Sequence, residues 1–261
     1  RDAPAYFICD SDSCFLYFVV TKVIAHRGAS ADFPENSLEA ILAARSQGAD
    51  AVEVDIRCTS DNVPIICHDR RLRRLFNSNG TTASITAAQF KKMRIMGTGT
   101  PLLLEELFNT DDPPRQIILD IKEFGLEIPV EKMICRNGWQ ERVIVSSFYS
   151  IIIKRFKRLN AELRTALILD RLASIPIALR QSYLNHIFLK YLEADYLHVF
   201  FREMNLAGAE RISELGHPVS FWTLDDPAAI ERALTISPYG IITNKPGIAR
   251  RIIQSEHTAQ S

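Results

Sequence analysis

The sequence predicts an α/β protein on a parallel sheet, with a strand count that fits a (β/α)8 TIM barrel. Short apolar runs alternate with longer amphipathic ones from residue 23 onward, which is the pattern of βα units. Eight such apolar runs occur in about 250 residues, the scale of a (β/α)8 barrel. The architectural rival is a doubly wound open sheet, but no glycine-rich dinucleotide fingerprint supports it.

In chain order, strands are expected at 23–26, 51–56, 116–122, 143–147, 165–169, 196–199, 219–222 and 240–243. The first helix is expected to start near Asn36, a capping residue type, with Glu39 three positions on as its capping-box partner. Further helices are expected at 127–136, 150–159, 175–191, 204–215, 227–234 and 247–254. The run 63–68 should fold back on the second strand through an Asp61-Asn62 turn, leaving an insertion at 70–100. That insertion carries seven basic residues (Arg70, Arg71, Arg73, Arg74, Lys91, Lys92, Arg94) and no acid. Its positive field is either a solvated surface or an attractor for an anionic substrate or, weakly, an anionic membrane surface. Residues 23–255 read as one domain, preceded by an unassigned extension at 1–22.

Composition narrows the class. The 261 residues include 31 acidic and 31 basic ones and are 47% hydrophobic, so a sizeable core is available and nonspecific nucleic-acid binding is disfavoured. The apolar run 14–20 is too short to span a bilayer. It follows Asp10 and Asp12 instead of a basic segment, unlike a signal peptide. Five scattered cysteines without a Cys-x-x-Cys pair point to reduced thiols in a cytoplasmic protein rather than to zinc or a disulfide framework. No oligomeric state follows from the sequence.

The chemistry gathers between residues 23 and 69. Glu53 and Asp55 lie two apart on one strand and so share a face. Two hard carboxylates suit one divalent cation, Mg²⁺ or Ca²⁺. With His26, His68 and Arg27 at the ends of neighbouring apolar runs, this is a kit for cleaving a phosphate ester. On the third strand Asp120 and Lys122 again share a face, either as an internal ion pair or as part of the same site.

The motifs His26-Arg27-Gly28, Pro34-Glu35-Asn36-Ser37, Glu53-Val54-Asp55 and His68-Asp69 together resemble the glycerophosphodiester phosphodiesterase family pattern of HRG, PENT, ExD and HD. The stretches Ser146-Ser147-Phe148, Phe221-Trp222-Thr223-Leu224-Asp225 and Gly240-Ile241-Ile242-Thr243-Asn244-Lys245-Pro246 also resemble family segments, as does the insertion. The resemblance implies a TIM barrel that hydrolyses glycerophosphodiesters to an alcohol and glycerol 3-phosphate. It implies Glu53, Asp55 and Asp120 as metal ligands, with Asp120 standing where the family has Glu. His26 and His68 become the acid–base pair, with their roles open; Arg27 and Lys122 bind phosphate and Trp222 walls the pocket. Gly28 lets backbone approach closely. Glu35 and Asn36 hold the first loop, and Ser37 replaces the usual Thr. Asp225 and Asn244 depart from the family's Asn and Asp. His186, His198, His217 and His257 match no motif and read as structural. Two alternatives stand beside this reading: a lysophospholipase D or sphingomyelinase D-like activity with an apolar pocket from 184–189, and a non-catalytic phosphodiester-binding barrel.

Overall fold

The computed structural model of this chain describes residues 21–170, 191–201, 212 and 216–260. Its strands are β1 (Lys22–His26), β2 (Ala51–Cys58), β3 (Pro64–Ile66), β4 (Ile117–Ile121), β5 (Val143–Ser147), β6 (Arg164–Leu169), β7 (Tyr196–Phe200), β8 (Val219–Trp222) and β9 (Gly240–Thr243). Eight of them run parallel in the cyclic order β1-β2-β4-β5-β6-β7-β8-β9, and the β1–β2 and β1–β9 pairings close the ring. This is a (β/α)8 barrel. Each of the eight expected strands is present, with ends within two residues of those expected.

β3 lies outside the ring, antiparallel on β2, as the Asp61-Asn62 turn predicted. Asn62 takes the left-handed conformation there, with φ 59°. Strand alternation explains the burial. Ile24, Ala51, Ile118, Ile144, Ala166 and Ile242 form one cluster apart from the two larger ones, as expected for positions facing the barrel axis. Intervening residues such as Val52, Val54, Leu119 and Val145 pack outward with helix residues Ile41, Val130 and Phe156.

The helices include α1 (Leu38–Ser46), α2 (Arg73–Phe76), α3 (Ala87–Lys91), α4 (Leu104–Phe108), α5 (Glu127–Arg136), α6 (Ser150–Leu159), α7 (Pro227–Leu234) and α8 (Pro246–Gln260). The last runs past the expected end at 254. The helices expected at 175–191 and 204–215, and the apolar stretch 184–189, lie almost wholly outside the described residues, as do Cys9 and Cys14. Among the described residues no helix is long and apolar enough to cross a membrane.

The start of α1 corrects the expectation. Ser37, not Asn36, caps the helix, accepting the Ala40 N–H at 3.1 Å. Asn36 has φ 59°, which turns its side chain away from the helix axis and into the barrel. Glu39 is not a capping partner either; it accepts the backbone N–H and hydroxyl of Thr100 at 2.9 and 2.6 Å. Gly28, at φ 84°, is required where β1 leaves the barrel. A Cβ there would stand 2.5 Å from the Ala40 carbonyl carbon.

Between Arg70 and Thr100 the chain has its own small core of Leu75, Phe90 and Ile95 against Ile65 and Cys67. Its charge is partly absorbed, because Arg74 and Lys91 are ion-paired. Arg70, Arg71, Lys92 and Arg94 have no ion pair among the described residues.

Candidate active site

The C-terminal ends of the strands bring the expected residues to one end of the barrel. Glu53, Asp55 and Asp120 converge, each offering a carboxylate oxygen, with these atoms within 4.8 Å of one another and all three residues buried. Register explains this: Asp55 pairs with Asp120 across β2 and β4, and His26 pairs with Glu53 across β1 and β2.

Cations hold this acidic cluster. Lys122 Nζ lies 2.8 Å from Asp55 Oδ1 and 2.5 Å from Asp120 Oδ2. The expected Asp120–Lys122 pair therefore exists, but inside the cluster and shared with Asp55. Arg27 Nε is 3.1 Å from Asp55 Oδ2, Arg27 Nη1 donates to Glu35 Oε1 at 2.8 Å, and the Arg27 backbone N–H donates to Glu53 Oε2 at 3.0 Å. Arg27 makes that last bond with φ 58°, an unusual conformation for a residue with a Cβ. Asn36 Nδ2 donates to Asp55 Oδ2 at 2.8 Å and its Oδ1 accepts the Asp55 N–H at 3.2 Å, so Asn36 holds a carboxylate and does not cap a helix.

Burial and crowding set the proton affinities. Burial raises Glu53 well above the usual carboxylate range, and repulsion from Asp55 and Asp120 adds to it. Burial raises Asp120 to about 6 although Lys122 opposes the shift. Burial acts the same way on Asp55, yet Lys122 and Arg27 together hold it well below its ordinary value. Such a set fits a hard divalent cation. It has oxygen ligands only, two carboxylates whose raised proton affinity a cation would lower, and a buried Asp120 Oδ1 without a hydrogen-bond partner among the described residues.

Each histidine is held by its Nδ1. His26 Nδ1 donates to Asn244 Oδ1 at 2.7 Å, and His68 Nδ1 to Asp69 Oδ1 at 2.7 Å. An amide oxygen and a carboxylate can only accept, so both neutral rings keep Nε2 as the basic atom. Burial lowers His26 to about 4, with the Arg27 cation adding to it. Burial also lowers His68, against the pull of Asp55 and Asp69.

Trp222 ends β8 and packs against Phe148 and Phe200, with ring centroids 5.7 and 5.2 Å apart. Lys122 Nζ sits 5.2 Å from the Phe148 ring centre, so Phe148 joins the tryptophan to the charged cluster. The sequence gives Phe148 and Asp69 no role of their own and Arg74 only a share in the insertion's positive field. The adjacency of Asp69 to His68 was the available signal for one of them.

The profile of the glycerophosphoryl diester phosphodiesterase family matches residues 26–248. The chain belongs to this family of phosphoric diester hydrolases. A glycerophosphodiester phosphodiesterase of Caldanaerobacter subterraneus subsp. tengcongensis is 29% identical over 87% of this chain and 95% of its own length. One of Bacillus altitudinis is 27% identical over 89% of this chain and 98% of its own. The barrel is shared with an Oleispira antarctica phosphodiesterase solved with the product sn-glycerol-3-phosphate: TM-score 0.77, 22% identity, 90% of this chain and 97% of that one.

Two departures from the family pattern complement each other. Asn244 Nδ2 donates to Asp225 Oδ2 at 2.5 Å, and the Asn244 N–H donates to Asp225 Oδ1 at 2.7 Å. Relative to the family pattern that the sequence resembles, acid and amide stand in exchanged positions, and in this chain the two are hydrogen-bonded to each other. His26 therefore has a neutral acceptor, whereas His68 has a charged one.

Proposed function

We propose that this chain hydrolyses glycerophosphodiesters to an alcohol and glycerol 3-phosphate, with a divalent cation held by Glu53, Asp55 and Asp120. The observation that carries the reading is the pair of imidazoles, each tied at Nδ1, at the same barrel mouth as the carboxylate triad. The cation would supply Lewis-acid charge to the phosphate oxygens. Arg27 and Lys122 add positive charge beside it as charge redistributes. One histidine Nε2 removes a proton from the nucleophile, which is water or the neighbouring glycerol hydroxyl; in the second case a cyclic phosphate forms, and water then opens it to glycerol 3-phosphate. The other enters the step protonated at both ring nitrogens and gives its Nε2 proton to the alkoxide as its P–O bond breaks. Arg70, Arg71, Lys92 and Arg94 draw the anionic diester towards the mouth from the 70–100 insertion, itself part of a single catalytic domain at 23–255.

A second reading, a lysophospholipase D-like preference for a larger alcohol, draws on one observation. Exposed Phe124 and Tyr149 lie 5.0 Å apart just beyond β4 and β5, near Phe148. A panel of glycerophosphodiesters and lysolipids assayed with Mg²⁺, with Ca²⁺ and with chelator tests both. Turnover of small diesters that chelator removes is expected; preference for lysolipids favours the second reading, and no turnover anywhere leaves only a binding barrel. Glu53→Gln should lose both turnover and the cation-dependent rise in Tm, since a ligand that binds only the folded state stabilises it by about 2.7 kcal/mol at a hundred times Kd.

A further inference from the structure

The two loops that carry the catalytic groups meet at one side chain outside both. Arg74, in α2, makes four hydrogen bonds to two carboxylates. Nε donates to Asp69 Oδ2 at 2.6 Å and Nη2 to Asp69 Oδ1 at 3.0 Å; Nη1 donates to Glu35 Oε2 at 2.7 Å and Nη2 to Glu35 Oε1 at 2.8 Å. Each carboxylate has a second partner at the site. Asp69 holds His68 Nδ1, and Glu35 holds Arg27 Nη1, whose Nε meets Asp55. The guanidinium fork thus links the β1–α1 loop to the segment after β3, across 39 residues of sequence.

We propose that Arg74 is a positioning residue that sets His68 through Asp69 and Arg27 through Glu35. A carboxylate held by both arms of a planar fork cannot rotate, so the ring bonded to it keeps one orientation and one tautomer. The same applies on the Glu35 side, where Arg27 is bonded by a carboxylate whose other oxygen is fixed. A lysine at position 74 would keep the charge but could not bond both oxygens of both acids. Asp69 is held down to about 2, first by its Arg74 hydrogen bonds, and stays an ionised acceptor for His68 at neutral pH.

The test follows the two branches, and its kinetic part rests on the diester hydrolysis proposed above. Arg74→Ala should lower kcat/KM ten- to a hundredfold, the range for outer-shell partners, and Arg74→Lys should recover less than a tenth of the loss. In an Asp69→Asn background the kcat effect of Arg74→Ala should shrink to under twofold. In a Glu35→Gln background its KM effect should shrink likewise. Half the Arg74 side chain is exposed, so millimolar guanidinium should restore activity to Arg74→Ala. The second measurement needs no substrate: ¹⁵N NMR of the His68 ring should show one Nδ1–H tautomer in the wild type and a mixture in Arg74→Ala. Effects that multiply with those of Asp69→Asn, or an unchanged tautomer, overturn the proposal. So does a lysine that restores both Tm and activity, because that marks a role in folding alone. If the wild type cleaves no diester, the hydrolysis reading fails while the tautomer still decides the role of Arg74.

Discussion

At the scale of single residues, the two histidines differ in what holds them. His68 has the carboxylate of Asp69 and His26 the amide of Asn244, so the pair is built asymmetrically. A substrate with a good leaving group, such as a nitrophenyl phosphodiester, needs no protonation of its departing oxygen. His26→Ala and His68→Ala should each lose several orders of magnitude on natural diesters, and only the acid's variant should be rescued by the nitrophenyl substrate. Equal losses without rescue would mean that both rings only position the phosphate. The Asp225–Asn244 exchange makes a second prediction. Asn244→Asp alone sets a carboxylate against Asp225 in place of a 2.5 Å donor bond, and should lower stability by about 1–3 kcal/mol. Adding Asp225→Asn should recover most of that loss, since the hydrogen bond re-forms in the opposite direction. Denaturant unfolding of the two singles and the double gives the coupling directly.

At the scale of elements, the β1–α1 junction sets the site. Gly28 lets the chain turn off β1 and lie on Ala40 of α1, and the next turn places Asn36 against Asp55. Gly28→Ala would strain a residue at φ 84° and push a methyl group to within 2.8 Å of the Ala40 Cβ. The expected cost is about 2–4 kcal/mol, from backbone strain plus overpacking. Because His26 and Arg27 immediately precede it, kcat/KM should fall further than stability alone explains, even at temperatures where the variant is fully folded. Activity equal to wild type in the folded variant would show that the loop is not held by α1. The segment after β3 acts as a second such junction, with Arg74 reaching from α2 back to Glu35.

At the scale of the whole molecule, the fold buries one imidazole inside the barrel, His198, and half-buries another at its mouth, His26. Burial lowers His198, inside β7, and His26 to about 4 each. The unfolded chain takes up those protons near the ordinary value of 6.5, so it binds more protons than the folded chain between about pH 6.5 and 4. Stability therefore falls as pH drops through that window, by roughly 2 kcal/mol per imidazole between pH 7 and 5. His198→Leu should remove its share and flatten the pH dependence in chelator. Its stability at pH 7 should change little, because among the described residues His198 Nε2 has no hydrogen-bond partner to lose. An unchanged slope from pH 7 to 5 would mean that His198 takes up its proton in the fold as readily as in the unfolded chain.

The barrel was legible in the sequence because its cause is local. A strand buried on both faces must be a short apolar run, and a covering helix must be amphipathic, so eight alternations specify the ring before any contact is known. Glu53 and Asp55 were legible for the same reason, since strand periodicity alone puts them on one face. The start of α1 was not. Asn36 and Ser37 are both capping types, and only the left-handed turn at Asn36 decides that Ser37 caps while Asn36 holds Asp55. Likewise the insertion reads as a run of positive charge, and nothing local separates Arg74 from Arg73 or Arg71. Its partners Glu35 and Asp69 lie in different loops, and only the closed barrel brings those loops together. What the sequence determined by itself was periodicity and residue type. The tertiary structure decided which charged groups meet, because an ion pair depends on distances that ring closure alone sets.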